Sequence, residues 1–373
     1  MCNYPYLRNL KQVYIAVTNK CNLSCGYCYA IEKRFRPQFF SFESFKRIVD
    51  GICSYSISKH IEIIFHGGEP LLAKYTFFEE CLEYAQKRMD ENGKKVDFGI
   101  QTNLTLMTFE LLDLFQKYSV SISSSLDGPE PIHNSARQDW NKTKEWFSEI
   151  QNRGMKISPI IVCSKHNCTH INDIFQLFNQ MGIRHIQMNI ATSNSFLIEQ
   201  SLFPPLSSSE ILEVFKNIVE CCRRYKISEE KMHNMLRRYM GMSPDYMTAL
   251  GCENPFCHAG SSMIVFTSDG EMFPCSPCVS LARNGVDYKL GKYGEEMSQD
   301  VYYDRLSRFH QKSKRYLSEC PKCPAMKICE FDCPGFDRID NVTRINKCKA
   351  FKDFYFWLDS QDREIIKSII ECR

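Results

Sequence analysis

"QVYIAVTNKCNLSCGYC", residues 12–28, joins an apolar, β-branched run to three cysteines, Cys21, Cys25 and Cys28. Five further short runs of the same kind follow: "IEIIF" (61–65), "VDFGI" (96–100), "VSISSSL" (120–126), "ISPIIV" (157–162) and "RHIQMNI" (184–190). Each ends at a polar or glycine-containing turn, as strands do. Between them lie helical patterns such as "SFESFKRIVDGICSY", in which Ser41 is placed to cap and Phe45, Ile48, Val49 and Ile52 share one face. Six βα units in succession predict an α/β fold with a parallel sheet and right-handed crossovers. This is a partial (β/α)6 TIM barrel, three-quarters of the eight-unit form and open on one side. The cysteines follow the first strand and therefore sit at the C-terminal rim, where such folds carry their chemistry.

Composition narrows the classes. A chain of 373 residues, 43% hydrophobic and 24% charged, has the make-up of an ordinary globular protein with a sizeable core. Its 47 basic and 44 acidic residues leave a net charge of +3, too small to draw in nucleic acid or an anionic membrane. The basic run "RFHQKSKR" (308–315) reads as a solvated helix face. The N-terminus lacks a signal-peptide pattern, and no apolar stretch approaches the roughly 18 residues of a membrane span. The expected compartment is the cytoplasm, where thiols stay reduced, so the chain's 20 cysteines point to metal or iron–sulfur ligation rather than disulfides.

The pattern changes after residue 190. "FPPLSSSE" (203–210) is a connector, and "SEILEVFKNIVECCRRY" (209–225) is an amphipathic helix with Ile211, Leu212, Phe215, Ile218, Val219 and Cys222 on its apolar face. Adjacent Cys221 and Cys222 point about 100 degrees apart on a helix and are expected to pack rather than share a metal. From Cys252 onward the chain is cysteine-dense and turn-rich. The expected division is a barrel over 1–200, a helical connector over 201–250 and a small cysteine-rich domain over 251–373.

Three closely spaced thiolates suit a [4Fe-4S] cube that keeps three corners on protein and leaves one iron open. A closed structural zinc site normally has four protein ligands, and no fourth cysteine is near. CxxxCxxC after the first strand, with aromatic Tyr27 before the last cysteine, resembles the radical S-adenosylmethionine (SAM) superfamily. The resemblance implies that SAM chelates the open iron and is cleaved by one electron to a 5′-deoxyadenosyl radical, which takes a hydrogen atom from substrate. It also implies an electron donor such as flavodoxin or ferredoxin. The cofactor carries that chemistry; the protein binds and orients.

Later rim segments fit the same cofactor. "HGGEP" (66–70) ends the second strand, and by resemblance Gly67, Gly68 and Glu69 meet the SAM amino group, although a plain strand-to-helix turn would look the same. "QTNLT" (101–105) resembles the family's QTNG and brings Gln101 and Asn103, with Leu104 where a glycine is usual. In "SLDGPEPIHNSAR" (125–137), Ser125 and Arg137 would hold the ribose and carboxylate of SAM, a fork suited to both carboxylate oxygens. Asp127 and His133 there are open to a turn or capping role.

"GCENPFCHAGSSMIVFTSDGEMFPCSPC" supplies Cys252, Cys257, Cys275 and Cys278; "ECPKCPAMKICEFDCPGF" supplies Cys320, Cys323, Cys329 and Cys333; "NKCKAF" adds Cys348. The TSDG turn predicts a hairpin that brings Cys257 and Cys275 together. Two zinc ribbons would use similar pairs. The "CHAG" segment, Gly270 before Cys275 and the 320–333 spacing resemble the SPASM domain found behind radical SAM cores that modify peptides and proteins. By that resemblance Cys252, Cys257, Cys275 and Cys333 bind one auxiliary cluster, and Cys320, Cys323, Cys329 and Cys348 the second, making three [4Fe-4S] clusters in all. Cys278 is left over, either replacing Cys252 or a free thiol.

The resemblance implies a precursor-peptide or protein substrate. Sulfatase-maturing relatives carry an Asp base immediately after the cysteine equivalent to Cys275, where this chain has Ser276, and an unactivated serine is no base. Peptide maturation by a C–C or thioether cross-link is therefore expected, with formylglycine generation or epimerisation as alternatives. Twenty residues precede Cys21, so leader recognition is expected to use the barrel, the SPASM surface or a separate protein. A zinc-binding interaction protein would leave the rim motifs unexplained, and the charge balance disfavours a nucleic-acid substrate.

Overall fold

The computed structural model describes residues 4–28, 38–191, 204–242, 257–283, 287–310, 318–329 and 341–371. Six parallel strands form as the runs predict: β1 (Gln12–Thr18), β2 (His60–Gly67), β3 (Lys95–Thr102), β4 (Ser121–Ser125), β5 (Ile157–Cys163) and β6 (His185–Ile190). They lie side by side in chain order, each paired in parallel with the next. Crossover helices cover them. In the helix Phe42–Tyr55 the Ser41 hydroxyl accepts the Ser44 amide at 3.1 Å, and Phe45, Ile48, Val49 and Ile52 are the buried residues. Phe45, Phe65, Phe78 and Phe115 run through the core in ring contacts of 5.4–6.1 Å, so bulky side chains from strands and helices interlock there.

The sheet extends beyond the barrel in both directions. A short β7 (Ser228–Glu229) pairs with β6, while β8 (Met263–Thr267) runs parallel to β1 with Tyr14 opposite Val265. β9 (Glu271–Phe273) returns antiparallel to β8, and β10 (Gly291–Lys292) pairs with β9. The predicted hairpin therefore exists, and the cysteine-rich part continues the barrel sheet through β1. The strand that feeds the three-cysteine loop is flanked by β2 on one side and by the hairpin on the other, and β9 runs back toward the start of β1.

The connector helix Ser208–Tyr225 begins with a reciprocal cap between Ser207 and Glu210. Phe215 on its apolar face meets Phe351 and Phe354 of the helix Asn341–Asp359, each at 5.3 Å. Cys221 and Cys222 are both buried in the core, as packing residues are. Of the 308–315 basic run, residues 311–315 lie outside the described residues. Among the described residues no helix is long and apolar enough to cross a membrane.

Candidate active site

The loop after β1 is fixed by the ends of β2 and β3. Gly68 N–H donates to Thr18 O at 2.8 Å, and Glu69 N–H to Lys20 O at 2.8 Å. Gly67 has φ +128, and a Cβ on it would lie 2.5 Å from Thr18 O; one on Gly68 would lie 2.2 Å from Lys20 O. These two glycines let backbone pass against backbone beneath the thiols. Glu69 is buried, and its carboxylate accepts from Leu71 N–H (2.9 Å), the Thr102 hydroxyl (2.6 Å) and Asn103 N–H (2.8 Å). A carboxylate has about four acceptor sites, so one remains for a further donor.

Asn103 carries the next link. Its amide donates to Asn22 Oδ1 at 3.0 Å and faces Cys21 Sγ at 3.8 Å, while Asn22 donates to the Thr105 hydroxyl at 2.7 Å. Leu23 N–H also points at Cys21 Sγ, at 3.4 Å. Leu104 stands where the family has glycine, and the turn keeps the left-handed backbone, φ 65. The side chain is fully buried, which is what holds a leucine in a conformation costing roughly 1–2 kcal/mol. Leu104→Gly relieves that strain but deletes a buried side chain worth about 2–5 kcal/mol. Burial wins: urea denaturation is expected to show a net loss of stability, and a gain would refute the balance.

Tyr27, Asp127 and Arg137 form the second support. The Tyr27 hydroxyl donates to Asp127, and Arg137 Nε donates to the Tyr27 oxygen and, at 3.1 Å, to Asp127. The guanidinium also lies 5.1 Å from the Tyr27 ring centre, and His166 stacks on that ring at 5.8 Å. Gly26 N–H donates to Ala136 O at 3.0 Å, which ties the loop to the helix Glu130–Ala136. Asp127 is no mere turn residue: it also accepts Val162 N–H at 3.0 Å. His133 has a positioning role, its Nδ1 accepting Asp127 N–H at 3.2 Å. Ser125 ends β4, half-buried.

The three thiols share one electrostatic environment. Burial pushes Cys21 up to about 11, the Leu23 amide opposes this, and Glu69, Cys28 and Cys25 push it further. Burial also raises Cys25, with Arg137 opposing. Removing those protons is what metal binding does, and the amide donors aimed at Cys21 suit a metal-bound thiolate. No three Cys, His, Asp or Glu side chains converge on a single ion among the described residues; a cube takes each thiolate on its own iron. The residues present fit such a cluster.

At the other side of the rim, His66 on β2 meets Ser276. Their Nδ1 and Oγ atoms are 3.5 Å apart. Burial drives His66 down to about 4, with a hydrogen bond to Gln101 opposing, so its imidazole is neutral at pH 7. Gln101 thus turns toward His66. Cys257 and Cys275 reach the same apolar cluster, as the hairpin predicts. Cys320 and Cys323 flank a short turn, Cys329 follows the next turn (Pro324–Lys327), and that turn contacts the helix bearing Cys348. Cys252 and Cys333 lie outside the described residues. Asn22 and Thr105 sit inside the quoted motifs, which do not mark them as contact residues, and His166 carries a contact that no local motif marks.

An open parallel barrel with this rim is the scaffold of a radical SAM enzyme, and the chain carries a radical SAM domain with a SPASM domain behind it: the radical SAM superfamily matches residues 15–178 and the SPASM iron–sulfur cluster-binding domain matches 257–324. Such domains bind SAM with a [4Fe-4S] cluster and auxiliary iron–sulfur clusters, respectively. The chain is related to the anaerobic sulfatase-maturating enzymes. It is 23% identical to the serine-type enzyme of Bacteroides thetaiotaomicron, over 94% of this chain and 90% of that one. It is 24% identical to the cysteine-type enzyme of Clostridium novyi, over 94% and 95%. An uncharacterised Methanothermobacter thermautotrophicus protein is 32% identical over 173 residues, 46% of this chain and 64% of that one. In fold, native anSMEcpe with bound AdoMet superposes with a TM-score of 0.80 at 19% identity, covering 98% of this chain and all of that one. Streptococcus suis SuiB bound to precursor peptide SuiA gives 0.64 at 14% identity, covering 90% and 76%.

Proposed function

We propose that this enzyme matures a ribosomally made precursor peptide in the cytoplasm, taking hydrogen from a side chain or Cα and closing a C–C or thioether cross-link. In this reading the barrel spans 1–200, the connector 201–250 and the SPASM domain 251–373. Cys21, Cys25 and Cys28 hold the cluster that binds SAM. Tyr27, Gly67, Gly68, Glu69, Gln101, Asn103, Ser125 and Arg137 form the SAM site, Glu69 with its remaining acceptor position toward the amino group. Cys252, Cys257, Cys275 and Cys333 hold one auxiliary cluster and Cys320, Cys323, Cys329 and Cys348 the other. When bound, SAM and its cluster supply hydrogen-atom abstraction, driven by an electron from a flavodoxin or ferredoxin.

The observation that carries this reading is Ser276. It stands at the position where sulfatase-maturing relatives place an Asp base, and what faces it is a neutral imidazole. The same contact favours a second reading, formylglycine generation, because a neutral imidazole beside a serine can accept a proton. Anaerobic turnover with a candidate precursor peptide, followed by tandem mass spectrometry and a hydrazine probe for aldehydes, separates the two. Loss of two hydrogens with linked fragment ions and no hydrazone is the expected result. A hydrazone-forming product, or exchange of a cysteine sulfur for oxygen, would establish formylglycine chemistry instead. Unchanged mass with solvent deuterium at Cα would mean epimerisation.

A further inference from the structure

The inward wall built by β4, β5 and β6 is polar where a closed barrel would be packed. Strand alternation sends Ile186 and Met188 outward into the core, both buried, and turns Gln187 and Asn189 to the inward face, both half-buried. Register places Ser125, Ile160 and Gln187 in one row and Val162 and Asn189 in the next. Val162 packs on the cluster of Cys25, Tyr27 and Ala136, so the Asn189 row lies against the three-cysteine loop. Among the described residues nothing hydrogen-bonds the Gln187 or the Asn189 carboxamide. Each offers N–H donors and an acceptor oxygen, half withdrawn from water. Across the lumen, His66 is neutral and bonded to Gln101, and Ser276 Oγ lies 3.5 Å from its Nδ1. The carboxylates of the inward face, Glu62 and Asp97, sit near the N-terminal ends of β2 and β3. Both are paired, Glu62 with Gln12 at 2.9 Å and Asp97 with His60 and Lys95.

We infer that Gln187 and Asn189 are specificity-determining residues, and that they select a substrate residue whose side chain is uncharged and hydrogen-bonding, an amide or a hydroxyl. A hydrocarbon side chain set against them would strip their water and leave donors and acceptors unpaired. A charged one would give up its hydration for neutral partners, with no counter-charge at that level of the lumen. An amide or hydroxyl satisfies both carboxamides and brings no net charge. A site built to hydrogen-bond a substrate group rejects the analogue lacking it far more strongly than an apolar pocket rejects one methylene more or less. Because the Asn189 row touches the cluster loop through Val162, the residue held there is the one presented to the cofactor.

This selection rests on the reading of the protein as a peptide-modifying enzyme, and the test separates the two. The holoenzyme, reconstituted anaerobically and reduced with dithionite, is given SAM and capped Ala/Gly host peptides that differ at one deuterated central residue: Gln, Asn, Ser, Leu, Lys or Glu. Deuterium recovered in 5′-deoxyadenosine reports which residue gives up hydrogen. The expected result is label from a Gln, Asn or Ser peptide at least about tenfold above that from the Leu, Lys and Glu peptides. Gln187→Leu and Asn189→Leu shift the preference toward the Leu peptide by about the same factor. Gln187→Glu, close to the original in shape, shifts it toward the Lys peptide instead. A changed ranking is not what disturbed packing gives, since that slows every peptide alike. Highest label from the Leu, Lys or Glu peptide in the wild type overturns the selection and leaves the peptide-modifying reading standing, as does an unchanged ranking in all three variants. Weaker SAM binding with an unchanged ranking in Asn189→Leu would assign that side chain to the cofactor and overturn its part. SAM cleavage with no label from any peptide overturns the peptide-modifying reading and the selection with it.

Discussion

Asp127→Ala is expected to lower stability by about 3–5 kcal/mol and to abolish SAM cleavage, because it strips the counter-charge from a buried cation. Asp127 is fully buried, and the Arg137 side chain is 12% exposed. With the carboxylate gone, Arg137 keeps its charge in a site that water barely reaches. The Tyr27 hydroxyl and the Val162 amide lose their acceptor at the same time. Each lost acceptor adds the desolvation cost of an unsatisfied polar group. Tyr27 lies between Cys25 and Cys28 in the chain, so the disturbance reaches the cluster loop directly. Urea denaturation of the apoprotein measures the first effect, and 5′-deoxyadenosine formation with a chemical reductant measures the second. A stability loss under about 1 kcal/mol would place the Arg137–Asp127 pair among weak surface contacts and sink the argument.

The second large effect belongs to Gly68. A methyl group there would sit 2.2 Å from Lys20 O and 2.5 Å from Lys20 C, both backbone atoms. Neither can rotate away as a side-chain tip can. The Gly68 N–H bond to Thr18 O anchors the same spot, so the loop that begins at Asn19 must move. A displacement of about 1 Å costs on the order of 100-fold in a positioned reaction. Gly68→Ala is therefore expected to reduce 5′-deoxyadenosine formation by at least that factor and to lower the iron retained by the SAM cluster. Gly99→Ala is the control: its Cβ would meet only Ile64 side-chain atoms and Ser121 O, at 3.4–3.8 Å. Equal activity in the two variants would mean that the glycine pair is dispensable.

Both predictions turn on contacts that the local sequence only half reveals. "HGGEP" shows two glycines at the end of a strand, but not that their function is to admit the Thr18–Lys20 backbone. "SLDGPEPIHNSAR" shows Asp127 where a turn residue would also stand; its partners Tyr27 and Val162 are 100 and 35 residues away. Leu104 looks like a departure from glycine that leaves its turn open. The backbone stays left-handed, because a buried side chain offsets the strain.

The sequence by itself determined the features governed by neighbours along the chain. The six strands follow from short β-branched runs ended by turns, the helices from 3.6-residue apolar spacing and a cap such as Ser41, and the thiol loop from its CxxxCxxC spacing. These depend on local backbone preference and on which face of an element is apolar. Tertiary structure alone decided that β8 lies on β1, that Glu69 bridges the ends of β2 and β3, that His66 faces Ser276, and that the Cys278 sulfur lies 3.4 Å from that of Cys275. The β1–β8, Glu69–Asn103 and His66–Ser276 pairings join segments distant in sequence and depend on sheet order and register. The Cys275–Cys278 pair is close in sequence, but its burial beside Cys257 depends on where the hairpin docks.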